Sequence, residues 1–214
     1  MAEYAKILRW TKSDAVYGLK TNIQLPSSAS VGTTGGFINF YLGVYGSNTN
    51  YECGLSTNYT EALNGKWHWF WNTGAANDGG AFNLAAGSTV PIELSVNSSN
   101  KLDFKVNGTV VKTFSGATGT FGSLTSARLV VAACDRSFTT VPNPLPNWNT
   151  LHNQVVCSGI SFRNSAGAWT VLSSANSTPP SSTTFWPDGY THTGTPADYT
   201  KVVSTGQLIA SLKR

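Results

Sequence analysis

The chain has 214 residues, of which 40% are hydrophobic and only 11% charged, with a formal net charge of +4. That length fits one large all-β domain or two small ones, with ample apolar surface for a core. The basic residues are scattered, which speaks against a nucleic-acid partner, and no segment is apolar for long enough to insert in a membrane.

A surface built from Ser, Thr, Asn and Gly rather than charges suits an extracellular or cell-surface protein. The start, Met1-Ala2-Glu3-Tyr4-Ala5-Lys6, nevertheless has no apolar run of signal-peptide length. Cys53, Cys134 and Cys157 allow at most one internal disulfide, and their spacing does not suit zinc. Buried, weakly reactive thiols are the simplest expectation.

In chain order, Ala15 to Leu25 alternates Tyr17, Leu19, Ile23 and Leu25 with Lys20, Asn22 and Gln24, the pattern of a half-buried strand ended by Pro26. Phe37 to Tyr45 alternates again. Ile38, Phe40, Leu42 and Val44 make the natural core face, leaving Phe37, Asn39, Tyr41 and Tyr45 on a wetter one. A strand around Tyr51 to Ser56 follows.

After Asn64-Gly65, a hairpin signal, comes Lys66-Trp67-His68-Trp69-Phe70-Trp71-Asn72. As a strand it puts three indoles in one row about 13 Å long, with His68 and Phe70 on the opposite side. Because Ile38, Leu42, Leu94 and Phe104 already supply core rows, the tryptophan row is expected to floor a binding groove.

Val90, Ile92, Leu94 and Val96 form a core row with Glu93 outward. Leu102 to Thr113 reads as a hairpin about Asn107-Gly108, pairing Phe104 with Val111 and Asp103 with Lys112 on a solvated face. Arg128 to Cys134 is apolar on both faces, as a central strand should be. The Asn- and Pro-rich loop 141–153 carries Trp148 and His152, and strands at 154–162 and 168–172 follow.

Short strands with turns every ten residues or so predict an all-β fold, a two-sheet antiparallel jelly-roll β-sandwich spanning 1–172. Residues 173–214 read as a Ser/Thr/Pro-rich arm packed on that sandwich. Its end, Lys201 to Leu212, is compatible with either a strand or a short helix. No helix of clear period is expected elsewhere.

The paired segments Ile92-Glu93-Leu94-Ser95-Val96 and Leu102 to Gly108 resemble those of the concanavalin A-like lectin/glucanase superfamily. The order of Trp10, the strand ending at Pro26, Phe40-Tyr41-Leu42-Gly43, Trp67 to Trp71 and Leu129-Val130-Val131-Ala132 is similar to the glutamic peptidases (eqolisins). That resemblance implies an aromatic cleft lined by Tyr41 and the tryptophan face. It also implies a catalytic Gln on the Tyr51 to Ser56 strand and a catalytic Glu at the position of Ala132. The chain has Leu55 or Ser56 at the first and alanine at the second, and alanine can neither activate water nor hold an oxyanion.

The expected function is therefore a non-catalytic, lectin-like binding protein that holds an extended polysaccharide or other glycan. Its ligand-binding residues would be Trp67, Trp69, Trp71, Tyr41, Asn39, Tyr45 and Trp148. A hydrolase using Glu52 is the alternative, since glycosidases and glutamic peptidases both need a cleft carboxyl group with a partner. A self-associating subunit of a capsid, coat or appendage is a third reading, motivated by low charge and the C-terminal arm.

His68 and His152 show no spacing that marks a triad or metal site, and Asp135 beside Arg136 suits an ion pair. No cofactor is expected. Calcium is conceivable at a loop containing Asn72, Asn77 and Asp78, although one carboxylate is a thin ligand set.

Overall fold

The computed structural model describes residues 2–33, 35–46, 50–115, 124–138, 148–186 and 198–213, except for the side chains of 2, 3, 81, 82 and 136–138. The chain runs β1 (Ala2–Lys12), β2 (Gly18–Gln24), β3 (Ala29–Ser30), β4 (Phe37–Tyr45) and β5 (Asn50–Asn58), then the short helix α1 (Tyr59–Leu63). It continues with β6 (Lys66–Asn72), β7 (Asn77–Ala85), β8 (Thr89–Val96), β9 (Leu102–Val106), β10 (Thr109–Phe114) and β11 (Ser126–Phe138). The last strands are β12 (Leu151–Arg163), β13 (Trp169–Val171), β14 (Thr184–Trp186), β15 (Asp198–Ser204) and β16 (Gln207–Lys213).

These strands form the two antiparallel sheets of a jelly-roll sandwich. One has the order β14-β1-β11-β4-β5-β6-β7, and the other β10-β9-β8-β2-β12-β16-β15, with β3 and β13 also paired to β12. The C-terminal residues therefore enter both sheets: β14 edges the first through β1, and the β15–β16 hairpin extends the second. For Lys201 to Leu212 the choice between strand and helix falls to strand.

Alternation fixes which residues face the other sheet. Across the first sheet, Trp10, Leu129, Leu42, Cys53 and Trp71 lie in one rung. Leu8, Val131, Phe40, Leu55 and Trp69 lie in the next. All of these except Trp69 are buried, and Trp69 packs on the same core from a partly buried position. Leu19, Ile23, Ile92, Leu94, Phe104 and Leu208 meet them from the second sheet. All three cysteines are buried, and no disulfide joins them.

The rungs correct the expected sidedness of β6. Trp67 and Trp71 are 2% and 9% exposed, and the row that was expected to floor a groove is part of the core. Aliphatic side chains fill the middle of the sandwich, but at the β6 end indoles fill it. Trp67 stacks on Phe40 with centroids 5.0 Å apart, Trp71 meets Phe114 edge-on at 5.6 Å, and Trp69 meets Phe104 at 6.4 Å. Room for Trp69 comes from Gly80, its partner on β7, where a Cβ would collide with the indole. The Lys112 ammonium lies 4.1 Å from the Trp71 ring, a favourable cation–π position over a partly desolvated face.

The β9–β10 hairpin turns at Asn107 and Gly108 with φ of 51° and 78°, the positive values that an Asn-Gly turn adopts readily. A bulge between Val110 and Lys112 then shifts the expected register by one, so Lys112 faces Phe104 and Thr113 faces Asp103. Asp103 is consequently buried rather than solvated, and accepts hydrogen bonds from Thr113 Oγ1 at 2.7 Å and Asn97 Nδ2 at 3.0 Å. The cross-strand ion pair is instead Lys105 with Glu93, at 2.9 Å.

Candidate functional site

The outer face of the seven-stranded sheet carries a groove of about 1560 Å³. That is larger than a drug-sized pocket of up to ~1,000 Å³ and suits an extended ligand. Its floor follows from the same alternation. One rung runs Ile7, Ala132, Asn39, Ser56, His68, and the next runs Arg9, Val130, Tyr41, Gly54, Phe70, Gly79. A third runs Arg128, Gly43, Glu52, Asn72, Asn77. Toward β14 the floor is an apolar patch of Ala5, Ile7, Val130, Ala132 and Cys134, with Phe37 and Tyr41 packed on it.

Two glycines shape the aromatic part. Gly43 leaves a slot that the Tyr45 phenol fills, because a Cβ there would overlap its ring and hydroxyl. The Tyr45 hydroxyl then donates to Glu52 Oε1 at 3.0 Å, while Asn72 Nδ2 donates to Glu52 Oε2 at 3.3 Å. On the other side the Arg128 guanidinium stacks 4.6 Å from the Tyr45 ring centroid. Burial and the Glu52 charge push the Tyr45 phenol well above its ordinary pKa, so it stays a hydrogen-bond donor. Gly54 admits the close approach of Tyr41, whose ring meets Phe70 edge-on at 6.0 Å.

At the other end, α1 places a carboxylate. Asn58 caps the helix by accepting from Glu61 N at 3.0 Å, and Glu61 Oε2 accepts from Asn58 N at 3.0 Å. The same carboxylate lies 2.8 Å from His68 Nδ1. Glu61 thus ties the helix to the groove wall. The residues Asn58-x-x-Glu61 are a readable capping-box pattern, and that signal could have located this helix, while the contact with His68 has no local signal.

The expected ligand-binding residues separate into two groups. Tyr41, Asn39, Tyr45 and Glu52 line the groove, and Trp71 borders it from its buried position. Trp67 and Trp69 lie on the core side. Trp148 is also a core residue, buried edge-on to Tyr4 at 5.2 Å with its Nε1 donating to the Thr150 carbonyl at 2.6 Å. A loop tryptophan looked available for stacking, but a closed set of partners holds this one inside.

His152 is core as well. It packs edge-on to Phe40 at 5.3 Å, Nδ1 donates to the Asn153 carbonyl at 2.7 Å, and burial pushes its pKa down to about 4. Asp135 is buried, and the expected pairing with Arg136 lies outside the described residues. Asn77 and Asp78 sit at the start of β7 beside the groove, where Asp78 Oδ1 accepts from Gly79 N at 2.8 Å. Among the described residues no three His, Cys, Asp or Glu side chains come together as a metal site would need. Phe70, His68, Arg9, Arg128 and Glu61 line the groove without having been anticipated there.

The two sheets and the groove across one of them define the class of protein, a two-sheet antiparallel jelly-roll β-sandwich. Within that class the fold is similar over nearly its whole length to the glutamic peptidases. A scytalido-glutamic peptidase bound to a peptide-based transition-state analogue aligns over 99% of this chain and 98% of its own, with a TM-score of 0.64 and 13% identity. SCP-B, an eqolisin in complex with the tripeptide Ala-Ile-His, aligns over 99% and 98%, with a TM-score of 0.61 and 12% identity. A Caenorhabditis elegans galectin aligns over 58% of this chain with a TM-score of 0.31. No family model matches the sequence, and no curated protein does. At 12–13% identity the likeness establishes the shared fold. Ala132 lies on the apolar floor of the groove, between Ile7 and Asn39 in its rung.

Proposed function

We propose that this protein is a non-catalytic binding protein whose groove holds an extended polysaccharide. The observation that carries the reading is the ladder of rings and planar polar groups across the groove: Tyr41 and Phe70 in one rung, Asn39 in the rung before, and Glu52 with Asn72 in the rung after. Aromatic faces stack on the apolar faces of sugar rings, and amides and carboxylates exchange hydrogen bonds with hydroxyls.

The Glu52 carboxylate supports binding over hydrolysis. Its hydrogen-bond partners are a phenol and an amide, Tyr45 and Asn72, rather than a second carboxyl group or a glutamine. Hydrolysis of a glycosidic bond calls for two carboxyl groups held about 5 to 9.5 Å apart across the scissile bond. Asn39 adds a polar group still to be satisfied, since its buried Oδ1 accepts no hydrogen bond from the described residues. A ligand hydroxyl could meet that need.

The test is binding of wild type, Tyr41→Ala and Phe70→Ala to a panel of immobilised polysaccharides. Each variant should bind its preferred polymer about tenfold more weakly, in line with ~1–3 kcal/mol per stacked ring. Equal binding by wild type and both variants would remove the groove from consideration. Release of reducing ends or peptides by the wild type, abolished in Glu52→Gln, would establish the hydrolase instead.

A further inference from the structure

Resting on the groove reading above, we infer that the bound polymer is anionic and that Arg9 and Arg128 form the site for its acidic groups. Both arginines line the groove. They stand on the adjacent strands β1 and β11, where Arg9 pairs with Val130 and Arg128 with Thr11. They are therefore diagonal neighbours on one face, roughly 7 to 8 Å apart at their backbones.

Among the described residues neither guanidinium takes part in an ion pair: the pairs there are Lys12 with Asp14, His68 with Glu61 and Lys105 with Glu93. Arg128 is stacked on Tyr45, yet its Nε is buried and has no hydrogen-bond partner among the described residues. A buried donor on a charged group is costly when left unpaired. Glu52, the carboxylate in the same rung, is separated from Arg128 by Gly43 and takes its hydrogen bonds from Tyr45 and Asn72.

The guanidiniums are matched to an oxyanion by geometry as well as charge. A planar fork with parallel N–H donors fits a carboxylate or sulfate bidentately. Arg128 lies over the Tyr45 ring, and Arg9 stands in the same rung as Tyr41, with Val130 between them. A sugar ring over Tyr41 would thus carry its acidic substituent toward Arg9 and Arg128, while its other edge faces Phe70 and Asn72. Uronates and sulfated sugars both offer that chemistry.

The experiment compares polygalacturonate with its carboxyl-reduced form, and dextran sulfate with dextran, by affinity electrophoresis and calorimetry. Wild type should bind at least one acidic polymer tenfold or more tightly than its neutral counterpart, and the preferred pair tells carboxylate from sulfate. Arg9→Gln and Arg128→Gln should each remove most of that preference, the acidic polymer losing clearly more affinity than its neutral counterpart. Lys201→Gln, on the other sheet, should keep the preference and so controls for net positive charge. Thermal melts establish that each variant is folded, and Arg9→Gln serves if Arg128→Gln is not. Equal binding of acidic and neutral polymers, unaltered in both arginine variants, overturns the inference but leaves the groove reading intact. No binding of any polysaccharide by the wild type overturns both, as would binding of polyglutamate alone.

Discussion

Tyr45 lies across Gly43, two residues earlier on the same strand, and occupies the space that a β-carbon there would need. That placement lets one phenol stack under Arg128 and hydrogen-bond Glu52 at once. Gly43→Ala should therefore expel Tyr45 and release both partners. Overpacking of this kind costs about 1 to 3 kcal/mol, to be read from urea unfolding, and polymer binding should weaken with it. A Gly43→Ala protein with unchanged stability and binding would show that the slot is not needed.

The two faces of β6 should respond oppositely to truncation. Trp67→Ala removes an indole stacked on Phe40 inside the core and should destabilise the fold by about 3 to 5 kcal/mol. Phe70→Ala removes a groove ring whose contact with Tyr41 is worth about 1 kcal/mol, so it should act mainly on binding. Denaturation and binding measured on both proteins decide the matter. A stable Trp67→Ala that no longer binds would reverse the assignment of faces.

His152 should make the fold acid-sensitive. Its folded pKa is pushed down to about 4 by burial, against 6.5 for a free imidazole. Between those values the unfolded chain takes up a proton that the folded chain refuses, so stability present above pH 6.5 is lost as pH falls toward 4. Unfolding free energies from pH 7 to 4.5 should decline less steeply in His152→Leu than in wild type. Parallel slopes would count against the buried neutral imidazole.

Lys6 predicts a trend at the alkaline end. Its side chain is fully buried, with Nζ lacking a hydrogen bond among the described residues and lying 5.3 and 5.4 Å from the Trp148 and Phe185 rings. Burial lowers its pKa from 10.5 to about 8, partly opposed by the Asp198 charge. The folded chain releases this proton first, so the penalty is full below pH 8 and fades between 8 and 10.5. Lys6→Met should accordingly be more stable than wild type at pH 7, with its advantage shrinking by pH 9.5. An advantage that does not vary with pH would place the cause in packing.

How much of this was legible beforehand differs by element. On β4 the alternation of Ile38, Phe40, Leu42 and Val44 with Asn39, Tyr41 and Tyr45 had one reading, because one face is aliphatic and the other carries polar handles. On β6 both faces are aromatic, and period-two patterning says only that Trp67, Trp69 and Trp71 share a side. In the β9–β10 hairpin the Asn-Gly turn was plain, while the bulge that buries Asp103 had no local signal.

The sequence by itself determined the jelly-roll class, the strand parity and the wet face of β4, since these depend on periodicity and turn chemistry within a few residues. Only the tertiary structure decided that the three tryptophans are core and that Phe70 and His68 belong to the groove. The side on which a two-faced strand is buried is set by the register it keeps with β5 and by the aromatic residues Phe104 and Phe114 arriving from the opposite sheet. The arginine pair was likewise visible only there. Arg9 and Arg128 become neighbours when β1 pairs with β11, a contact between distant parts of the chain that no local pattern encodes.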